Sequence, residues 1–91
     1  MSNAIALTLI GKPGCHLCDD ARSVIQGVVA EFEAHRDAFG AVSLEELDIL
    51  QDEQLAQKYH DEIPVLLING SGHNYWRIDP VRLREALDAL L

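Results

Sequence analysis

A chain of 91 residues with 48% hydrophobic side chains is long enough for one packed core and too short for two. Its 15 acidic against 7 basic side chains give a formal net charge of −8, which argues against nucleic acid and anionic membrane surfaces, since both need clustered Lys and Arg. No apolar run nears the roughly 20 residues that span a bilayer.

Met1 to Asn3 carry no weight in the reading, and nothing before the first apolar run has the basic start of a signal peptide. Residues 1–91 are therefore expected to form one cytoplasmic domain, with a monomer as the expected state. The run "AIALTLI" (residues 4–10), ended by Gly11, predicts a strand buried on both faces. Beyond Cys15 the period changes: Leu17, Ala21, Val24, Ile25, Val28 and Phe32 recur every three or four residues, one stripe of a helix. Gly27 weakens that helix without breaking it, and the helix is expected to reach about Ala38 and stop at Gly40.

The stretch "VSLEELDI" (residues 42–49) reads as a strand whose alternation slips between Leu44 and Leu47, predicting a half-exposed strand or a bulge. Residues 52–59 form a short helix with Leu55 and Tyr59 inward. "PVLLINGSGHNYWRI" signals a hairpin across Asn69-Gly70-Ser71-Gly72, with His73 solvated in the turn. Of Tyr75 and Trp76, one is expected on a helix and the other on the surface, a place at the rim of a site being the lesser alternative. Asp79 supplies an N-cap and Pro80 a first helical residue, before a buried stripe of Leu83, Ala86, Leu87 and Leu90. The order is β-α-β-α-β-β-α: a right-handed parallel βαβ unit, then an antiparallel hairpin and a closing helix.

Both cysteines of the chain, Cys15 and Cys18, stand within "GKPGCHLCDDA" (residues 11–21), between the first strand and the first helix. There Cys15 meets backbone N–H groups that lack helical partners, and with the positive end of the macrodipole these stabilise a thiolate. Lys12 and His16 add positive charge nearby, while Asp19 and Asp20 oppose ionisation of Cys18. Cys-X-X-Cys thiols in such positions titrate between roughly 3.5 and 7.5, and the reading here is a moderately acidic Cys15. Cys18 lies one turn on, about 5–6 Å away, a separation that suits a disulfide. Cys15 is then the nucleophile and Cys18, one turn deeper, the thiol that resolves the mixed disulfide. An inert buried pair and a zinc site are the rivals. A complete intrachain zinc site lacks ligands, because His35, His60 and His73 show no metal-binding spacing. Two chains sharing a metal through Cys15 would escape that count.

Ile63-Pro64 opens the third strand, a position where proline's missing N–H does no harm. Most X–Pro bonds are trans. A Cys-X-X-Cys at the first β-to-α junction followed by X-Pro before the third strand resembles the thioredoxin fold. "GKPGCHLCDDA", "LDI" and "IPVLLING" are similar to glutaredoxin-like proteins in particular, across essentially the whole chain. The resemblance implies an α/β thioredoxin-like fold with a four-stranded mixed sheet flanked by helices. It implies a cis Ile63–Pro64 bond beside the Cys15–Cys18 turn, with the Ile63 backbone pairing with substrate as a strand does. Lys12 matches a basic residue that helps glutaredoxins hold the glutathione carboxylate.

Two departures qualify this. The first strand has no acid of the kind many thioredoxins bury, so proton transfer at Cys18 needs water or another group. The junction before the last helix reads "WRIDPVR" (residues 76–82) where glutaredoxins place a glycine pair. Asp79 and Pro80 put a carboxylate in an anion's place and remove a donor, so glutathione binding is expected to be weakened or absent, with Arg77 or Arg82 compensating in part. Asp61 and Glu62, ahead of Ile63-Pro64, bias the site toward basic partners. The expected function is thiol–disulfide oxidoreduction on protein or small-molecule disulfides, with no cofactor beyond the Cys15–Cys18 pair and an unidentified reductant. The alternative is a non-catalytic binding module, including one that holds a metal or iron–sulfur cluster between two chains.

Overall fold

The N-terminal apolar run forms β1 (Ile5–Gly11), followed by α1 (His16–Arg36), β2 (Val42–Asp48) and a single 3-10 turn at Ile49–Gln51. Then come α2 (Glu53–Tyr59), β3 (Val65–Ile68), β4 (Ser71–Tyr75) and α3 (Pro80–Leu90). These elements are seen in a computed structural model that describes residues 4–90; residues 1–3 and 91, which the single-domain reading includes, lie outside the described residues. The sheet order is β2-β1-β3-β4. β1 runs parallel to β2, in unbroken register from Ile5↔Val42 to Gly11↔Asp48, and antiparallel to β3.

The two sheet faces bury different sets. Ile5, Leu7, Leu9 and Leu66 pack with Ala21, Ile25, Val28 and Phe32 of α1 and with Leu83 and Leu87 of α3. Phe32 is wholly buried, and truncating such a side chain to alanine costs about 3–5 kcal/mol. On the opposite face Ile10, Ile49 and Val65 form a smaller cluster, with Leu55 and Tyr59 of α2 against it. Because α2 has only seven residues, it covers one end of that face. Ala6 is therefore exposed and Thr8 half-buried, so the strand expected to be buried on both faces is so only at Ile10 and Gly11.

Local chemistry sets the ends of the elements. α1 stops earlier than Gly40: Asp37 takes a left-handed conformation (φ 49°), which Asp tolerates, and its N–H donates to Ala34 O. The Glu33 carboxylate then accepts from Gly40 N–H and Val42 N–H, each at 3.1 Å, and ties down the loop into β2. The β3–β4 turn is tighter than the four-residue reading, with Asn69 (φ 51°) and Gly70 (φ 84°) supplying the two positive φ angles of a two-residue hairpin turn. Asn69 also extends the ladder past β3, since its N–H donates to Ala6 O and its Oδ1 accepts from Ala6 N–H.

No bulge interrupts β2. The irregularity falls between β3 and β4, where the register shifts at Leu66/Leu67 and leaves His73 as the extra residue on β4. His73 is accordingly half-buried rather than solvated, and its Nε2 is buried without a partner among the described residues. Asp79 caps α3 as expected, its Oδ1 accepting from Val81 N–H and Arg82 N–H at 2.9 and 3.2 Å. Leu90 is 43% exposed and drops out of the stripe, and Tyr75 and Trp76 are both about half exposed (50% and 53%) rather than divided between core and surface.

Candidate functional site

The end of β1 passes through the turn Lys12-Pro13-Gly14 into α1, and Gly14 takes a φ of 75° that glycine adopts without steric cost. Cys15 is the N-cap. Its backbone is extended, and its Sγ accepts a hydrogen bond from Cys18 N–H at 3.2 Å. Sulfur thus occupies the place an oxygen normally takes in capping, aimed at the unsatisfied donors of the first turn. Both cysteines are free thiols: Cys15 is half-buried and Cys18 buried.

Cys18 sits under the turn against the last residue of β1. A Cβ on Gly11 would lie 2.7 Å from Cys18 Sγ and 3.3 Å from its Cβ, so the thiol fills space that only glycine leaves open. Burial and the hydrogen bond with Cys15 push the Cys18 thiol up to about 11, while the backbone N–H of Lys12 works in the opposite direction. The pair is therefore asymmetric, with an outer sulfur held by a backbone donor and an inner one held protonated by its surroundings.

Lys12 and His16 are both exposed at the ends of this turn. Among the described residues neither side chain hydrogen-bonds to Cys15, whose partner is Cys18 N–H. Any influence of these two groups on the sulfur acts through space.

Register brings Ile63 and Pro64 to the same end of the sheet. The pairing Ile10↔Val65 places Pro64 opposite Gly11 in the next step. The Ile63–Pro64 bond is cis. Pro64 is fully buried, and its carbonyl accepts from Trp76 N–H at 2.8 Å. The β3 ladder starts at Val65, which leaves the backbone of Ile63 beyond it.

Two grooves lie beside the start of α1, and the larger is lined by Cys18. The larger, about 290 Å³, reaches Cys18 between the β1–α1 turn and β2, with Asp19, Arg22, Glu46 and Asp48 along its walls. Arg22 bridges it, holding Glu46 at 2.8–3.0 Å and Asp19 at 3.0 Å. These carboxylates keep the guanidinium charged far above neutrality. The smaller groove, about 110 Å³, lies between Leu17 and Asp20 of α1 and the segment Trp76 to Ile78. The rim position of Trp76 was the lesser alternative in the sequence, and the signal for it was modest: the chain's one tryptophan, immediately after a strand and three residues before a helix cap.

The strand order, the cysteines at the first β-to-α junction and the proline before β3 define a protein of the thioredoxin fold. The chain belongs to the family described as Glutaredoxin-like domain (DUF836), whose model matches residues 6–88. Its structural relatives include the structural-genomics target protein XcR50 from X. campestris, 31% identical with a TM-score of 0.69, over 91% of this chain and 96% of that one. The solution structure of Ne2328 from Nitrosomonas europaea is 21% identical with a TM-score of 0.72, over 91% of each chain. Chloroplastic thioredoxin z shares the fold at 12% identity and a TM-score of 0.71, over 97% of this chain and 79% of that one. No curated protein matches the sequence.

Proposed function

We propose that this glutaredoxin-like domain is a thiol–disulfide oxidoreductase. The observation that carries the reading is the asymmetric pair: Cys15 Sγ at the helix N-cap, accepting from Cys18 N–H, with the Cys18 thiol buried behind it. The Cys15 thiolate attacks one sulfur of a substrate disulfide, forming a mixed disulfide and expelling the other sulfur as a thiolate. Cys18 then gives its proton to water in the larger groove, and its sulfur attacks Cys15. The Cys15–Cys18 disulfide forms, the second substrate thiolate leaves, and two electrons have passed to the substrate. A thiol reductant reverses the cycle on the enzyme. No other cofactor takes part.

Ile63, with its backbone outside the ladder, is the edge to which an extended substrate segment adds, and Pro64 fixes the turn that presents it. Lys12 and the α1 N-terminus favour the attacking thiolate through space. Asp79, whose carboxylate caps α3, stands against the carboxylate of glutathione's γ-glutamyl end, so glutathione is a poor reductant. The reading places the domain in the cytoplasm, acting as a monomer.

The test is reduction of the Cys15–Cys18 disulfide by glutathione and, side by side, by a thioredoxin-reductase system. Turnover that requires Cys15 supports the reading, and efficient turnover with glutathione overturns the role given to Asp79. A coloured, anaerobically purified protein that does not cycle would instead identify a module that holds an iron–sulfur cluster between two chains.

A further inference from the structure

Trp76 departs from what a strand-end tryptophan ordinarily does. It is the residue after β4, in a three-residue turn closed by Arg77 N–H to Tyr75 O at 2.9 Å, and its φ is 65°. That is the positive-φ form of the γ-turn, rare and strained, and φ in this range is an outlier for a bulky side chain. Three contacts fix the residue in place. Its backbone N–H donates to Pro64 O at 2.8 Å, its indole Nε1–H donates to Asp61 O at 2.9 Å, and Tyr75 meets its ring edge-on at 5.0 Å between centroids. A side chain held this firmly still exposes 53% of its surface. Strain of this kind collects where it serves a site, and a rigid, half-exposed aromatic is the kind of residue that anchors a partner at low entropic cost.

Its surroundings state which partner. The indole closes the smaller groove opposite Asp20, with Leu17, Val24 and Ile78 as an apolar lining. Asp20 is exposed and makes no hydrogen bond or ion pair among the described residues. Asp61 and Glu62 follow on the strip that leads to Ile63, and Asp61 is paired only with His60, at 3.1 Å. Arg77 and Asp20 are the charged residues that line this groove, and the surplus of negative charge comes from Asp61-Glu62 beside the indole, whose Nε1–H donates to Asp61 O, within a chain of net charge −8. An indole face beside more carboxylates than cations attracts Lys or Arg, by cation–π contact and by charge.

We infer that Trp76, with Asp20 and the Asp61-Glu62 strip, forms a docking subsite for an extended protein segment in which basic residues flank the cysteine to be attacked. The inference rests on the oxidoreductase reading for the chemistry of the substrate, and it makes Trp76 and Asp20 specificity-determining residues.

Because Trp76 is the only tryptophan, its fluorescence reports occupancy without turnover. The full chain carrying Cys15→Ser and Cys18→Ser is titrated with a ten-residue peptide holding one S-methylated cysteine between lysines and arginines, and with the same peptide carrying glutamates instead. A saturable change in emission, with the basic peptide binding roughly tenfold more tightly and losing that advantage as salt rises, is the expected result. Asp20→Asn, at an exposed and unbonded position, is expected to weaken the basic peptide by roughly threefold and to strengthen the acidic one, since a like charge is removed. In the active protein, Trp76→Ala is expected to raise KM for the corresponding basic peptide disulfide more than KM for the acidic one. Equal affinity for the two peptides, or no emission change, overturns the subsite. If the emission responds but the peptide disulfide is never reduced, the subsite stands and the oxidoreductase reading falls.

Discussion

The Cβ that Gly11 lacks would stand 2.7 Å from the sulfur of Cys18. The last residue of β1 therefore sets how deeply the inner thiol sits below Cys15, and the two positions are one packing unit. Gly11→Ala is expected to destabilise the reduced protein by about 1–3 kcal/mol, the range for overpacking a filled core. Cys18→Ala removes the obstructing sulfur. In a denaturant double-mutant cycle the alanine at position 11 should then cost far less in the Cys18→Ala background, a coupling of the kind contacting residues show. Additive effects of the two substitutions would separate the two residues.

The same burial divides the thiols by reactivity. With Cys18 pushed up to about 11, alkylation of the reduced protein at neutral pH should modify Cys15 first and leave Cys18 largely intact until the chain unfolds. Cys18→Ser should accumulate a mixed disulfide with substrate, visible by mass spectrometry, whereas Cys15→Ser should form none. A linked effect appears in stability. A thiol that holds its proton more tightly when folded stabilises the fold below its unfolded pKa. That contribution is lost as pH rises from the ordinary thiol value of 9.0 towards about 11. Melting of the reduced protein across this range should fall less steeply in Cys18→Ala than in the wild type.

His73 predicts an effect at the acid end. Desolvation lowers its pKa below the ordinary 6.5, Arg82 adds to this and Asp79 opposes it. A histidine that resists protonation in the fold but accepts it when unfolded makes the folded state lose stability as pH falls through 6.5. Melting curves from about pH 8 to pH 5 should therefore show a decline that His73→Gln reduces. An identical decline in the variant would place the responsible protons elsewhere.

Much of this architecture is written in local sequence. Asp79-Pro80 gives the start of α3, Asn69-Gly70 gives the hairpin, and the stripe from Ala21 to Phe32 gives the buried face of α1, because caps, turns and periodicity act over a few residues. The misreadings at β1 and His73 share one cause, dependence on a distant neighbour. β1 looked buried on both faces because apolar runs carry no record of how short the covering helix α2 is. The slipping alternation of β2 gives the half-exposed strand of the two alternatives, regular in register and with no residue fully buried, and the bulge lies elsewhere. It formed at His73, where neither His73 nor Asn74 marks an inward residue by polarity. Cys15 and Cys18 could be found by spacing alone. The dependence of Cys18 on Gly11, and the bond from Trp76 to Asp61, join residues 7 and 15 positions apart, and no pattern along the chain announces them.

The ion pairs at the surface should matter less than their number suggests, and a graded series of variants checks this. Arg22 reaches Glu46 across from α1 to β2, but its side chain is 37% exposed and that of Glu46 is 43% exposed. Exposed pairs of this type contribute about 0.2–1 kcal/mol, because water screens them and two long side chains must be ordered. Asp79 does a different job, satisfying two backbone N–H groups of α3 that have no helical partner, and loss of such a cap costs about 0.5–2 kcal/mol. Phe32 exceeds both, since its truncation would open a cavity between α1 and α3. The expected order of destabilisation under denaturant is Arg22→Ala, then Asp79→Ala, then Phe32→Ala at about 3–5 kcal/mol. If Arg22→Ala proved as damaging as Phe32→Ala, the bridge over the larger groove would have to support Cys18 as well as link helix to sheet, and loss of Cys18 protection against alkylation in the Arg22→Ala variant would reveal it.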